Sequence, residues 1–331
     1  MNLLLKPGAR RRCTGCLFLV LMIMAWALVP NGVVTARADD GTALRFNDRF
    51  LDVHLTESGK AWAVGQGGRI VYSDNFGKDW KSLKSPTVRG LFSVFFISAT
   101  KGWVCGELGQ IFYTEDAGET WQIQNSGTNE QHLMMIQFVN ENKGFAVGTR
   151  GFLIATDDGG KKWNRLPFDE DITTNDLHFV NENVGYIAAE FQYILKTEDA
   201  GEHWTFQTER GIGNFFGISF TDENSGVVVG TEGNIMYTTD GGVEWKAAEN
   251  HQRNKKTLLK VDFFDKNRGV AVGLDGALLQ TKDGGASWYP VEGVVFYNWF
   301  SGLSFLENGK GLLVGASGTV VQTNNFGGSW D

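Results

Sequence analysis

Two sets of side chains in this sequence could do chemistry. The first is made of ionisable residues two positions apart: Asp52 with His54, Asp176 with His178, and Lys260 with Asp262. A carboxylate beside an imidazole suits general base catalysis or metal ligation. The second is a series of seven acids and amides, Asn75, Asp116, Asp158, Asp199, Asp240, Asp283 and Asn325. Each is the third residue of the phrase Ser/Thr-x-Asp/Asn-x-Gly-x-x-Trp, where a carboxylate could bind calcium or act in catalysis. Recurrence decides against both roles, because an active site needs one constellation and not seven. The third residue is expected to accept hydrogen bonds from backbone N–H groups just ahead of it and so close a tight turn. The Gly at position five is expected to supply a positive φ, and the Trp to bury its indole beside the turn.

The tryptophans of the phrase are Trp80, Trp121, Trp163, Trp204, Trp245, Trp288 and Trp330, at intervals of 41, 42, 41, 41, 43 and 42 residues. A period this regular marks a repeat architecture. Within one repeat, Leu91–Phe96, Gly102–Gly106 and Gly109–Thr114 read as three strands, and Trp121 opens a fourth. Four antiparallel strands repeated radially form the blades of a β-propeller. The expected fold is therefore all-β, a seven-bladed propeller with four strands per blade. The sequence ends just after the seventh turn, so the last blade lacks a fourth strand. The segment Thr42–Phe46 is expected to supply it and close the ring. In such a ring the first and fourth blades lie nearly opposite, so His54 and His178 are read as part of a hydrogen-bonded channel lining.

Residues 1–38 have the layout of a secretory signal: Lys6 and Arg10–Arg12, then the apolar run Cys16–Val29, then Ala36-Arg37-Ala38. The organisation expected is thus a signal peptide (1–38) and one propeller domain (39–331), with export to a periplasm, a thylakoid lumen or the outside. An uncleaved anchor is the alternative. The whole chain has 30 basic and 38 acidic residues. Losing the leader removes five basic residues and no acids, leaving a net charge of −13. That opposes non-specific binding to nucleic acid or anionic lipid. Only Cys105 would remain, so no internal disulfide can form.

Strand direction puts the phrase turns on one face of the ring and the interblade linkers on the other. Variable loops on a rigid scaffold are where binding residues gather. The linker face carries Arg89, Arg150, Phe191 on an atypical turn (Ala189-Glu190-Phe191-Gln192), Arg210, Phe216, Arg253, Lys256, Tyr297 and Trp299. This mixture of basic and aromatic residues suits a protein-binding patch. It equally suits aromatics packed between blades with solvated charges. No cofactor or metal site is expected.

The phrase resembles the Asp-box (BNR) motif of sialidases and related propellers. The Arg-Ile-Pro phrase of sialidases is absent; Arg69-Ile70-Val71 is the nearest match. Xyloglucanase-type hydrolases set two such rings face to face, and this sequence has one. Whole repeats such as Lys143–Trp163, together with Leu51-Asp52-Val53, resemble the photosystem II stability/assembly factor family. That resemblance implies a lumenal or periplasmic seven-bladed propeller without enzyme activity. It also implies binding of a newly made reaction-centre subunit through a positively charged patch, to which Arg150 is the matching position. The reading is a monomeric, non-catalytic scaffold for a membrane-associated complex. The alternative is a glycan-binding or glycoside-hydrolysing propeller.

Overall fold

A computed structural model describes residues 43–253 and 255–331. The signal peptide and Thr42 lie outside the described residues. Seven antiparallel sheets follow one another along the chain. Their inner strands are Phe50–Leu55, Leu91–Phe96, Leu133–Phe138, Thr174–Phe179, Phe215–Phe220, Leu258–Phe263 and Phe300–Phe305. Each inner strand packs on the next, and the seventh packs on the first, which closes the ring. Second strands such as Gly102–Gly106 and Gly144–Gly148 are buried throughout. Outer strands are as short as two residues, as in Lys81–Ser82 and Asn164–Arg165.

The seams between blades are aromatic. A ring on one second strand stacks on the Phe that closes the next inner strand: Trp62 on Phe96 and Trp103 on Phe138 at 3.5 Å, Phe145 on Phe179 at 3.6 Å, Tyr186 on Phe220 at 3.8 Å. The tryptophan of the recurring phrase meets that same Phe edge-on, as in Phe138–Trp163 (5.8 Å, 84°) and Phe179–Trp204 (6.1 Å, 86°). Such stacked and T-shaped pairs each contribute about 0.5–1.5 kcal/mol beyond area burial. The repeating Trp thus ties its turn to the inner strand of its own blade, behind the Phe that stacks across the seam.

The turn chemistry follows the sequence reading. In the second blade the Thr114 hydroxyl donates to Asp116 Oδ1 (2.8 Å) and accepts from the Gly118 N–H (2.9 Å), while the Thr120 N–H donates to Asp116 Oδ1 (2.8 Å). The same bonds recur at Asn75, Asp158, Asp199, Asp240, Asp283 and Asn325. These residues are structural. One feature was not read from the sequence: the residue before the phrase glycine is also left-handed. Phe76, Ala117, Ala200 and Phe326 have φ of 60–62° there.

Closure departs from expectation. The last sheet has three strands, and Ala43–Phe46 forms none. Asp331 itself takes the first fourth-strand position, exchanging two 2.9 Å backbone bonds with Gln322. The N-terminal segment turns instead. The Arg45 N–H donates to Asp48 Oδ2 and the Asp48 N–H to the Arg45 carbonyl, both at 2.9 Å. This local bonding by Asp competes with an extended strand. Asp48 then accepts the Gly318 N–H on its carbonyl (2.8 Å) and pairs through its side chain with Arg69 (3.1 Å). Leu44 packs on the core shared by the first and last blades. The sixth blade has five strands, because Glu249–Asn250 pairs in parallel with the outer strand Ser287–Pro290.

Candidate functional site

The ionisable pairs meet in the channel, where they fasten blades. Asp52 accepts the N–H groups of Val53 (2.9 Å) and Val94 (3.0 Å), the latter from the next blade. Asp176 does the same with Leu177 and Ile218, and Asp262 with Phe263 and Phe305. Elsewhere Gln137, Ser93 and Ser304 take that role. Lys260 reaches from the sixth blade to Asp176 of the fourth at 2.8 Å, and its Nζ lies 3.9 Å from Met135 Sδ of the third. The sequence showed Lys260 beside Asp262 but gave no sign of this crossing, because register alone does not say how far a lysine reaches over a channel.

Burial sets the electrostatics. It pushes Asp52 and Asp262 up to about 6, against the lowering effect of Lys260 and of their backbone bonds. It pushes His54 and His178 down to about 4. Burial also opposes the charge on Lys260, but the carboxylates of Asp176 and Asp52 outweigh it and raise its pKa. His54 packs against Phe95 (5.0 Å) and His178 against Phe220 (6.2 Å). Among the described residues no group of three or more His, Cys, Asp or Glu is placed to hold a metal ion. The arrangement is a network of bonded acceptors with one cross-channel ion pair.

The residues expected to bind a partner lie around the ring. Arg150 is exposed at the centre of the turn Thr149–Gly151, with φ 54° and ψ 41°. Leu108, Glu232, Asp275 and Ser317 adopt the same left-handed conformation in the matching turns, so it belongs to the turn and not to Arg150. Arg165, which the sequence reading passed over, donates to the Gly151 carbonyl at 2.6 Å and lies over the Phe152 ring. Arg210 stacks on Phe191 at 3.9 Å, and the Gly211 N–H donates to the Phe191 carbonyl (2.7 Å). Lys256 donates to the Asp275 carbonyl at 2.6 Å. Arg89, Arg253 and Tyr297 are exposed on three other linkers, and Trp299 is half-buried. Phe216 sits at the bulge of an inner strand, half-buried, and not on the loop before it. Among these nine, the described contacts join Arg210 to Phe191. Arg253 and Lys256 share the linker before the sixth blade, Tyr297 and Trp299 the linker before the seventh, and the rest stand on other segments of the same face.

Comparison with known proteins fixes the family. The family model of the photosynthesis system II assembly factor YCF48 matches residues 47–155, 119–208 and 207–293. The chain belongs to that family. Among solved structures it is similar to a YCF48 bound to a D1 peptide, with 19% identity, a TM-score of 0.70, and coverage of 86% of this chain and 95% of that one. It is similar to YCF48 from Cyanidioschyzon merolae at 16% identity and a TM-score of 0.71, covering 86% of this chain and 98% of the other. A GH74 xyloglucanase from Xanthomonas campestris shares 13% identity with a TM-score of 0.69, over 87% of this chain and 53% of that enzyme. At these identities the structural likenesses speak for the fold. Among curated proteins no match is found.

Proposed function

We propose that this propeller is a non-enzymatic assembly factor, exported to a periplasm or thylakoid lumen, that holds a subunit of a membrane-associated complex on its linker face. Membership of the YCF48 family supports the scaffold role. A YCF48 has been seen with a D1 peptide, and by analogy this chain takes an extended segment of a membrane-protein subunit. The observation that carries the reading is the pair of exposed arginines, Arg150 and Arg210, on the linker side of the third and fourth blades. Arg150 projects into solvent from its turn with Arg165 braced beside it, and Arg210 lies flat on Phe191 in the following blade. Planar guanidinium groups suit carboxylates and peptide carbonyls. The channel acids already accept backbone N–H groups, which fits a structural role better than a catalytic one.

The test is capture of membrane-protein subunits from a detergent extract by the purified monomer. Arg150→Glu and Arg210→Glu together are expected to abolish capture, while Arg150→Gly, which suits the left-handed turn, weakens it without unfolding. Unchanged capture by the double variant would sink the assignment of this face. Turnover of any oligosaccharide in a glycosidase panel would overturn the non-enzymatic reading.

A further inference from the structure

Exposed apolar side chains on the linker face gather in one arc. Phe46 (83% exposed), Val88 (86%), Val295 (72%) and Tyr297 (89%) all rise from segments that precede the inner strands of the first, second and seventh blades. Contacts run through the arc without a break. Asn298 Nδ2 donates to Thr319 Oγ1 at 3.2 Å, and the Gly318 N–H donates to the Asp48 carbonyl at 2.8 Å. Asp48 pairs with Arg69, and the Thr87 carbonyl lies so close to Gly68 that a Cβ there would meet it at 2.0 Å. The other strongly exposed apolar residues, Ile123, Ile212 and Val243, stand singly on an outer strand, a linker and a phrase turn. Single residues of that kind need no explanation, whereas a contiguous group marks an interaction surface.

The charge of the arc differs from that of its surroundings. Its exposed or half-exposed cations are Arg45, Arg49, Lys84 and Arg89, against Glu107 and Glu292, while Arg69 is spent on the buried Asp48. The linker face of the third to sixth blades carries Asp169, Glu170, Asp171, Glu209, Glu232 and Asp275 beside Arg150, Arg210, Arg253, Lys255 and Lys256. The net negative charge of the chain therefore does not describe this arc. Apolar and aromatic tips interleaved with arginine and lysine are the composition that settles at a bilayer interface, rings among the headgroups and cations on anionic lipid. The tips are carried on linkers of one face of a ring, so one surface can meet them together. Proximity comes from the sequence as well. The apolar run Cys16–Val29 ends 14 residues before Ala43, a span of at most about 50 Å fully extended. Wherever that run is retained, it keeps the arc within reach of the membrane that holds it.

We propose that the arc formed by the first, second and seventh blades docks this propeller on the surface of an anionic lipid bilayer. The exposed arginines of the third and fourth blades then stay free for a protein partner. The inference is independent of that partner, since it uses other residues and needs no protein ligand.

The test uses the protein isolated from its own cells, sedimented with vesicles of phosphatidylcholine alone or with phosphatidylglycerol added. Binding is expected on the anionic vesicles and is expected to fall with salt. The triple variant Phe46→Ser, Val88→Ser, Tyr297→Ser is expected to lower partitioning by roughly tenfold or more, taking one fully buried apolar side chain as the measure. Arg89→Glu should lower it on anionic vesicles only. Ile123→Ser with Ile212→Ser should leave it unchanged. Every variant keeps the same N-terminus, so a retained apolar run adds equally to all, and Tyr297→Ser alone serves if the triple variant misfolds. Equal binding by parent and arc variants, or an equal loss in the Ile123/Ile212 control, would overturn the proposal. Loss of protein capture by the triple variant in the absence of lipid would overturn it as well and give the arc to a protein partner.

Discussion

Replacing Lys260 with Met tests the logic of the channel most directly. The ammonium pairs with Asp176 at 2.8 Å, and the Asp176 side chain is 2% exposed. The thioether fills much of the same space but leaves Asp176 with only its two backbone N–H donors, Leu177 and Ile218. Removing one partner of a buried pair costs about 3–5 kcal/mol, because the remaining charge is left uncompensated. For a domain of about 290 residues the entropy of unfolding is roughly 0.6 kcal/mol/K, so the midpoint should fall by about 5–8 °C. Lys260→Met combined with Asp176→Asn should recover most of that fall, since the amide still accepts the N–H bonds without a charge. Thermal or urea unfolding, run as a double-mutant cycle, measures every term. A loss below about 1 kcal/mol, or a double variant no more stable than Lys260→Met, would refute the claim that Lys260 compensates a buried acid.

Further outcomes follow from the same geometry. Asp52 holds its proton more tightly when folded, with a pKa of about 6 against 3.8, so its stabilising contribution is full below 3.8 and is lost as the pH rises through 6. Asp52→Asn should therefore gain stability at pH 8, by up to about 3 kcal/mol. That gain should vanish near pH 4, as unfolding curves across this range will show. Asp116→Ala should cost about 1–2 kcal/mol in urea unfolding through loss of its turn bonds. Asp116→Asn should be near neutral, since Asn75 and Asn325 form the same bonds, and a chelator should change neither midpoint. Arg69→Ala should cost about 2–3 kcal/mol and free the segment 43–49, seen as faster limited proteolysis there, because Asp48 loses its counter-ion.

The fold could be read so fully because each repeat states the same local rules: a Thr hydroxyl, an Asp acceptor, a glycine and an indole at fixed offsets. What escaped was whatever depends on distance across the ring or on competition between local and long-range bonding. The segment 42–46 was read as the strand the last blade lacked, but Asp48 bends the chain from Arg45 on and Arg69 secures the bend. Lys260 looked like a neighbour of Asp262 and proved to be the partner of Asp176. Phe216 looked like a loop residue, since a bulge hides which side of the strand boundary it falls on. The candidate binding residues were chosen one at a time from their types. Their spread around the ring, and the stacking of Arg210 on Phe191, needed coordinates.

The parallel pairing of Glu249–Asn250 with Ser287–Pro290 has a mechanical consequence. The chain leaving the fifth blade is woven into the outside of the sixth before it turns inward. A force that peels these two blades apart must break that two-pair ladder as well as the inner-strand packing, a rung that the other described linkers do not add to a neighbouring outer strand. The fifth and sixth blades should therefore come apart last when the ring is pulled open.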